Sequence, residues 1–347
     1  MTLQHTSTQS SAVGRRRSTR VRVAWCLASA ALVLVLAAAS VAIGSRPVTG
    51  AELWWGLAGH TDTIGEAAVY VRVPRTLLAI VIGAALAVSG AVMQGVTRNP
   101  LADPGILGVN MGAALAVVIG IAWFGMWELD SYVWAAIVGG GAAACFVYFV
   151  GSLGRGGATP LKLALAGAAT AAALSSLISA VVLPRPDISD IVQSWHVGGV
   201  GGASFEAMGT VVPFLAVGGV LAWVSGRWLN SLSLGDDIAA GLGVRVAWAR
   251  GGAALAAVLL CSAATAVAGP IGFVGLIIPH LCRLLVGTDY RWLIPCSALM
   301  GAALLIAADI IGRVVARPEE IAVGIVTALI GAPVFIAVAR RQKMRAL

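Results

Sequence analysis

Ten apolar runs, each close to the thickness of a bilayer, follow one another along this chain with only short polar breaks between them. A helix needs about 20 mostly apolar residues to cross the hydrocarbon core. Runs of that kind fall near 24–44, 74–96, 104–124, 132–153, 161–183, 207–227, 248–268, 272–286, 292–312 and 321–339. The eighth is short and interrupted by Pro279. The runs are continuous and rich in Ala, Leu and Gly, without the alternation that a membrane-spanning β-strand needs. The pattern predicts an all-α, polytopic membrane protein with about ten transmembrane helices.

Composition agrees. Of 347 residues, 59% are hydrophobic and only 11% charged, too few charges to cover the surface of a soluble domain. The basic residues set the orientation. With both termini inside, all Lys and Arg fall in cytoplasmic segments except Arg46, Arg72, Arg75, Arg185, Arg313 and Arg317. That bias predicts an N-in, C-in topology. The net charge of +8 then reports topology and contact with anionic lipid, and its division among short loops argues against nucleic-acid binding. Residues 1–22 read as a disordered basic cytoplasmic tail, 23–341 as a single transmembrane domain and 342–347 as a second short tail. The five cysteines show no CxxC spacing and read as small buried hydrophobes, so neither a disulfide framework nor a metal site is expected.

The polar breaks carry the functional signal. Arg98 to Asn110, RNPLADPGILGVN, is a proline- and glycine-punctuated stretch between two spans. Irregular backbone at membrane depth is tolerated only where protein or a water-filled path satisfies its polar groups. A faint echo appears later: Pro104-Gly105-Ile106-Leu107-Gly108 follows the second span, and Pro270-Ile271-Gly272-Phe273-Val274-Gly275 follows the seventh. Those spans run in opposite directions, so the expected relation is an inverted internal repeat, a transporter design. In the longest inner loop, Asp236 and Asp237 favour a helix start and Gly241 or Gly243 its end. Ile238, Ala239 and Leu242 are expected to share one face of that short helix.

Single side chains admit both plain and functional readings. Arg72 and Arg75 lie three apart at the outer end of the second span, where arginines run against the positive-inside bias. Asn99-Pro100 and Thr159-Pro160 are ordinary turn chemistry as well as candidate gates. His280 and Cys282 supply too few ligands for a closed metal site, and His196 in an outer loop is the better candidate for the mouth of a path. Asp309, a carboxylate inside the ninth span, is expected to pair with Arg313 four residues on. An ion-driven secondary transporter would want several such acids, and an intramembrane enzyme would want HExxH, GxSxG or paired aspartates; the chain has neither.

Four segments together resemble the FecCD family, the membrane permeases of ATP-binding-cassette importers for ferric siderophores, haem and cobalamin. They are Arg72-Val73-Pro74-Arg75-Thr76-Leu77, the RNPLADPGILGVN stretch, LGDDIAAGLGV, and the run GPIGFVGLIIPHLCRLLVGTDYRWLIP followed by ADIIGR and VGIVTALIGAPVF. The resemblance spans residues 69 to 341. It implies a ten-helix permease paired with a second copy or a paralogue. Two cytoplasmic ATPase subunits would lie below and an extracytoplasmic substrate-binding protein above, with a siderophore as the first expectation for cargo. It also implies residue roles. Arg72, Arg75 and Arg313 would dock the binding protein. Leu234, Gly235, Asp236, Asp237, Ile238, Ala239, Ala240, Gly241, Leu242 and Gly243 would form the helix that couples to the ATPase. Asn99, Leu101, Thr159 and Pro160 would form a cytoplasmic gate, although Pro160 departs from the small or polar residues usual in the family's second gate segment. The chain itself has no GxxxxGK[ST] loop, so the resemblance places ATP hydrolysis on partners and implies no cofactor here.

Overall fold

A computed structural model describes residues 18–105, 107–154 and 159–343, and within them every regular element is helical. Seven helices are long and apolar enough to cross a membrane: α1 (Thr19–Ala42), α3 (Ile64–Thr97), α5 (Leu129–Ser152), α6 (Pro160–Val182), α8 (Phe205–Leu232), α10 (Val246–Ala268) and α12 (Tyr290–Val315). Three shorter apolar helices complete the set: α4 (Val109–Phe124), α11 (Val274–Val286) and α13 (Val323–Lys343). These ten correspond one to one with the ten apolar runs. The remaining three are α2 (Gly50–Leu57) and α7 (Pro186–His196) at the outer end, and α9 (Asp236–Gly241) at the inner end. Most of the expected N-terminal tail lies outside the described residues, but α1 already begins at Thr19.

The core is built around α3, which packs against α10, α11 and α12. Val69, Leu78, Ala79, Ile82, Ala87 and Val92 along it are fully enclosed. Lipid is as apolar as leucine, so helices in a bilayer associate through close packing more than through the hydrophobic effect. The glycines act there. A methyl group on Gly83 would strike the backbone of Gly301 on α12, and one on Gly90 would strike the backbone of Gly275 on α11. Exposed tryptophans mark both ends of the bundle, with Trp54, Trp55, Trp123 and Trp127 outside and Trp228 and Trp248 inside, as interfacial belts require.

The two half-length helices explain the polar breaks. Ser89 on α3 donates to the Ala257 carbonyl on α10, fixing these two helices side by side in opposite directions. After α3 ends at the inner face, the chain turns back. By Asn110, at the start of α4, it lies beside the outer half of α10, where Cys261 Sγ and Thr265 Oγ1 donate to Asn110 Oδ1 at 3.0 and 3.2 Å. After α10 ends at the outer face, residues 269–273 also turn back. α11 then starts against Gly90, about 10 Å short of the inner end of α3. Each re-entrant break therefore feeds a short helix that crosses only part of the bilayer, and the two breaks enter from opposite sides. That opposed arrangement is the one an inverted repeat calls for.

Candidate functional site

At the outer end, the three arginines singled out from the sequence converge, but two of them face inward. Arg72 is 6% exposed and donates to the carbonyls of Val41 and Ala42 at 3.2 Å and of Arg46 at 2.6 Å. Arg313, 1% exposed, donates to the carbonyls of Ser40 and Ile43 at 2.9 and 3.2 Å and to Ser40 Oγ at 2.6 Å. The last carbonyls of α1 have no helical donors of their own, and these guanidiniums supply them. Arg75 turns the other way. Its Nε and Nη2 hold Asp309 Oδ1 at 3.0 and 2.7 Å, while Nη1 holds Glu320 Oε2 at 2.7 Å.

Asp309 is thus clamped from two sides, by Arg75 and by Arg313 Nη2 at 2.8 Å. The expected i,i+4 pair with Arg313 is present; the cross-helix pair with Arg75 was not legible, because no local spacing encodes a partner 234 positions away. Glu320, in the loop after α12, also accepts from Ser45 Oγ at 3.1 Å. Burial alone would raise its pKa, but the hydrogen bond and charge of Arg75, aided by Ser45, outweigh that and hold its carboxyl below the ordinary value. Arg46 and Arg317 remain exposed on the rim of this cluster.

At the inner end, α9 begins at Asp236 and stops at Gly241, with Gly243 at φ 82 turning the chain away. The expected face is redistributed. Ala239 packs inward, while Leu234, Ile238 and Leu242, spaced four apart, stand exposed together with Asp237. The side of α9 that lies against α8 and α10 carries the small Ala239, which leaves its large apolar residues outside.

Of the expected gate residues, Asn99 and Leu101 line a narrow crevice against α6, while Thr159 and Pro160 are not among the residues that line it. Leu101 N donates to Asn99 Oδ1 at 3.0 Å, closing a tight turn, and Thr159 caps α6 by accepting from Lys162 N at 3.3 Å. Pro160 occupies the first turn of α6, where a missing N–H costs nothing. Asn99, Leu101 and Ala102 face Leu163 and Ala164 across a crevice of about 20 Å³, room for about one water. His196 closes α7 in a half-buried position; its Nδ1 has no hydrogen-bond partner, and burial lowers its pKa. Beside it, Val197 and the outward face of α13 line an open apolar groove of about 530 Å³. Among the described residues, no three His, Cys, Asp or Glu side chains are grouped to hold a metal.

Ten apolar helices and two opposed re-entrant segments define a multi-pass membrane protein. The chain belongs to the FecCD transport family, whose model matches residues 32–341. It is 42% identical over 312 residues to the ferric enterobactin transport system permease protein FepD of Escherichia coli, covering 90% of this chain and 93% of that one. To the iron(3+)-hydroxamate import system permease protein FhuB of Bacillus subtilis it is 42% identical over 320 residues, covering 91% and 83%. Among solved structures, a metal-chelate type ABC transporter in an inward-facing conformation shares the fold, with a TM-score of 0.77 and 29% identity over 92% of this chain and 99% of that one.

Proposed function

We propose that this chain is the permease subunit of an ATP-binding-cassette importer that carries a ferric siderophore inward, with ATP hydrolysed on separate cytoplasmic subunits. The exposed stripe of Leu234, Ile238 and Leu242 carries the reading. Three large apolar side chains at the cytoplasmic face, next to acidic Asp237, fit a groove on a protein partner better than an anionic lipid surface. At the opposite end, Arg72, Arg75 and Arg313 form the positive base of a docking surface for acidic residues of a binding protein, and Arg46 and Arg317 are its exposed contacts. Such rim charges govern on-rate and register more than bulk affinity. Residues 23–341 act as one permease unit beside a second copy or a paralogue. Asn99, Leu101, Thr159 and Pro160 form the cytoplasmic gate, and the apolar face of α13 lines the path.

The ferric siderophore is favoured as cargo because two relatives at 42% identity are named for ferric enterobactin and iron(3+)-hydroxamate. Ion-driven transport is disfavoured because the Asp309 carboxylate is held by two arginines and is not available as a proton carrier. The cargo is tested by deleting the gene and supplying iron only as a ferric hydroxamate, a ferric catecholate, ferric citrate or haem. Loss of growth confined to one of the siderophore chelates is expected. Loss confined to haem would overturn the siderophore assignment.

A further inference from the structure

Asp236 opens the coupling helix, yet its carboxylate is turned toward its own chain. Oδ1 accepts from two arginines on different helices: Arg98, just past the end of α3, and Arg250 Nη2 at 2.8 Å, in the first turns of α10. The neighbouring Asp237 faces outward. All three bridging side chains remain 34–45% exposed, and ion pairs so accessible to water add little to stability.

The backbone at Arg98 is a second, independent observation. It sits at φ 50, ψ 31, the left-handed region that residues with a Cβ avoid. Among the described residues only Phe273, at the start of α11, shares that distinction outside glycine. Local strain of this kind persists where surrounding contacts impose it and where function uses it. The left-handed turn at Arg98 ends α3 and leaves its guanidinium against Asp236 of α9. From Arg98 the chain runs straight into the Asn99–Leu101 turn and then to Asp103. Asp103 Oδ1 accepts from Gly105 N at 2.8 Å, and its other oxygen lies against Gly275 at the head of α11.

We infer that the Asp236–Arg98 pair is the link through which the coupling helix moves the gate loop 98–105, which makes Asp236 a positioning residue for transport and not for attachment of the ATPase. Arg250 shares the same oxygen and ties that movement to α10, the inverted-repeat counterpart of α3. A displacement of α9 by a partner is thus delivered to the inner ends of both pseudo-equivalent helices. The inference rests on the importer reading, and the experiment separates the two.

The test uses Arg98→Gly in the complete complex with ATPase and binding protein, reconstituted in liposomes and given radioiron as a ferric hydroxamate or catecholate. Glycine favours the observed backbone, so a merely structural role predicts undiminished uptake. The coupling role predicts ATPase subunits still bound, hydrolysis within about twofold of wild type, and uptake down by about tenfold, as for a typical coupling free energy. Asp236→Asn, nearly isosteric and at the surface, should give the same split, and it serves alone if Arg98→Gly is poorly produced. The double variant should be no worse than either single one, the signature of two residues acting as one unit. Wild-type uptake in either single variant, or ATPase subunits released by Asp236→Asn, would overturn the coupling role. Absence of ATP-dependent uptake in the wild-type complex would instead overturn the importer reading.

Discussion

The two ends of this molecule use the same chemistry, arginine against carboxylate, under opposite degrees of burial. At the outer end Asp309 and Arg313 are each 1% exposed, and the guanidiniums of Arg72, Arg75 and Arg313 are held by carboxylates or by carbonyls at the end of α1. At the inner end the Arg98–Asp236–Arg250 bridge stays open to water. A buried charge whose partner is removed is left uncompensated, so the outer cluster holds three helices in fixed register. An accessible bridge can break and re-form at little cost, which suits an element that must move. Burial, more than residue type, separates the two ends.

That contrast can be broken by mutation. The largest effect is expected for Asp309→Ala, which removes the buried carboxylate shared by Arg75 and Arg313 and should cost about 3 kcal/mol of stability. A thermal-unfolding midpoint in detergent that equals wild type would contradict the clamp. Leu242→Asp puts a charge in the exposed apolar stripe and should release the ATPase subunits in a co-purification assay while leaving the thermal midpoint unmoved; retention of the subunits would remove α9 as their docking element. Asp236→Asn should shift stability by less than about 1 kcal/mol, the ordinary range for exposed pairs. A loss as large as that of Asp309→Ala would erase the proposed difference between the two ends.

The smallest effect concerns pH. Glu320 has a folded-state pKa below its ordinary value of 4.5, so its contribution is complete above that value and is lost as pH falls through the lower folded one. Hydrogen exchange in the loop between α12 and α13 should therefore rise on acidification in wild type. In Glu320→Gln it should already be raised at neutral pH and respond less to acid. An identical acid response in both would assign the change to another group.

The sequence was most legible where periodic burial dominates. Each apolar run became a helix, because a mostly apolar segment without strand alternation satisfies its backbone hydrogen bonds in lipid only within itself. The expected inverted repeat was legible in its two proline-glycine breaks, which mark where the backbone must leave the helix, and in the likeness of Gly167-Ala168-Ala169-Thr170-Ala171 to Gly324-Ile325-Val326-Thr327-Ala328. What was missed was short or non-local. α2 and α7 lack the length of a span, although a Thr49–Glu52 capping box and Pro186 at a first turn were there to announce them. α3 begins ten residues before its apolar run, at a second capping box of Thr63 and Glu66, so Arg72 and Arg75 lie within a continuing helix instead of at its tip. That length lets Arg72 reach the end of α1, a partner that spacing along the chain does not reveal. On α9, helical periodicity grouped Ala239 with Ile238 and Leu242, but close packing selected the smallest of the three for burial.

If import requires ATP hydrolysis on partner subunits, uptake of a radioiron-labelled ferric siderophore into liposomes holding the purified chain will show it. With the ATPase subunits, binding protein and ATP present, accumulation is expected, and it should vanish when any one of them is omitted. Accumulation by the chain alone under a proton or sodium gradient would contradict the account.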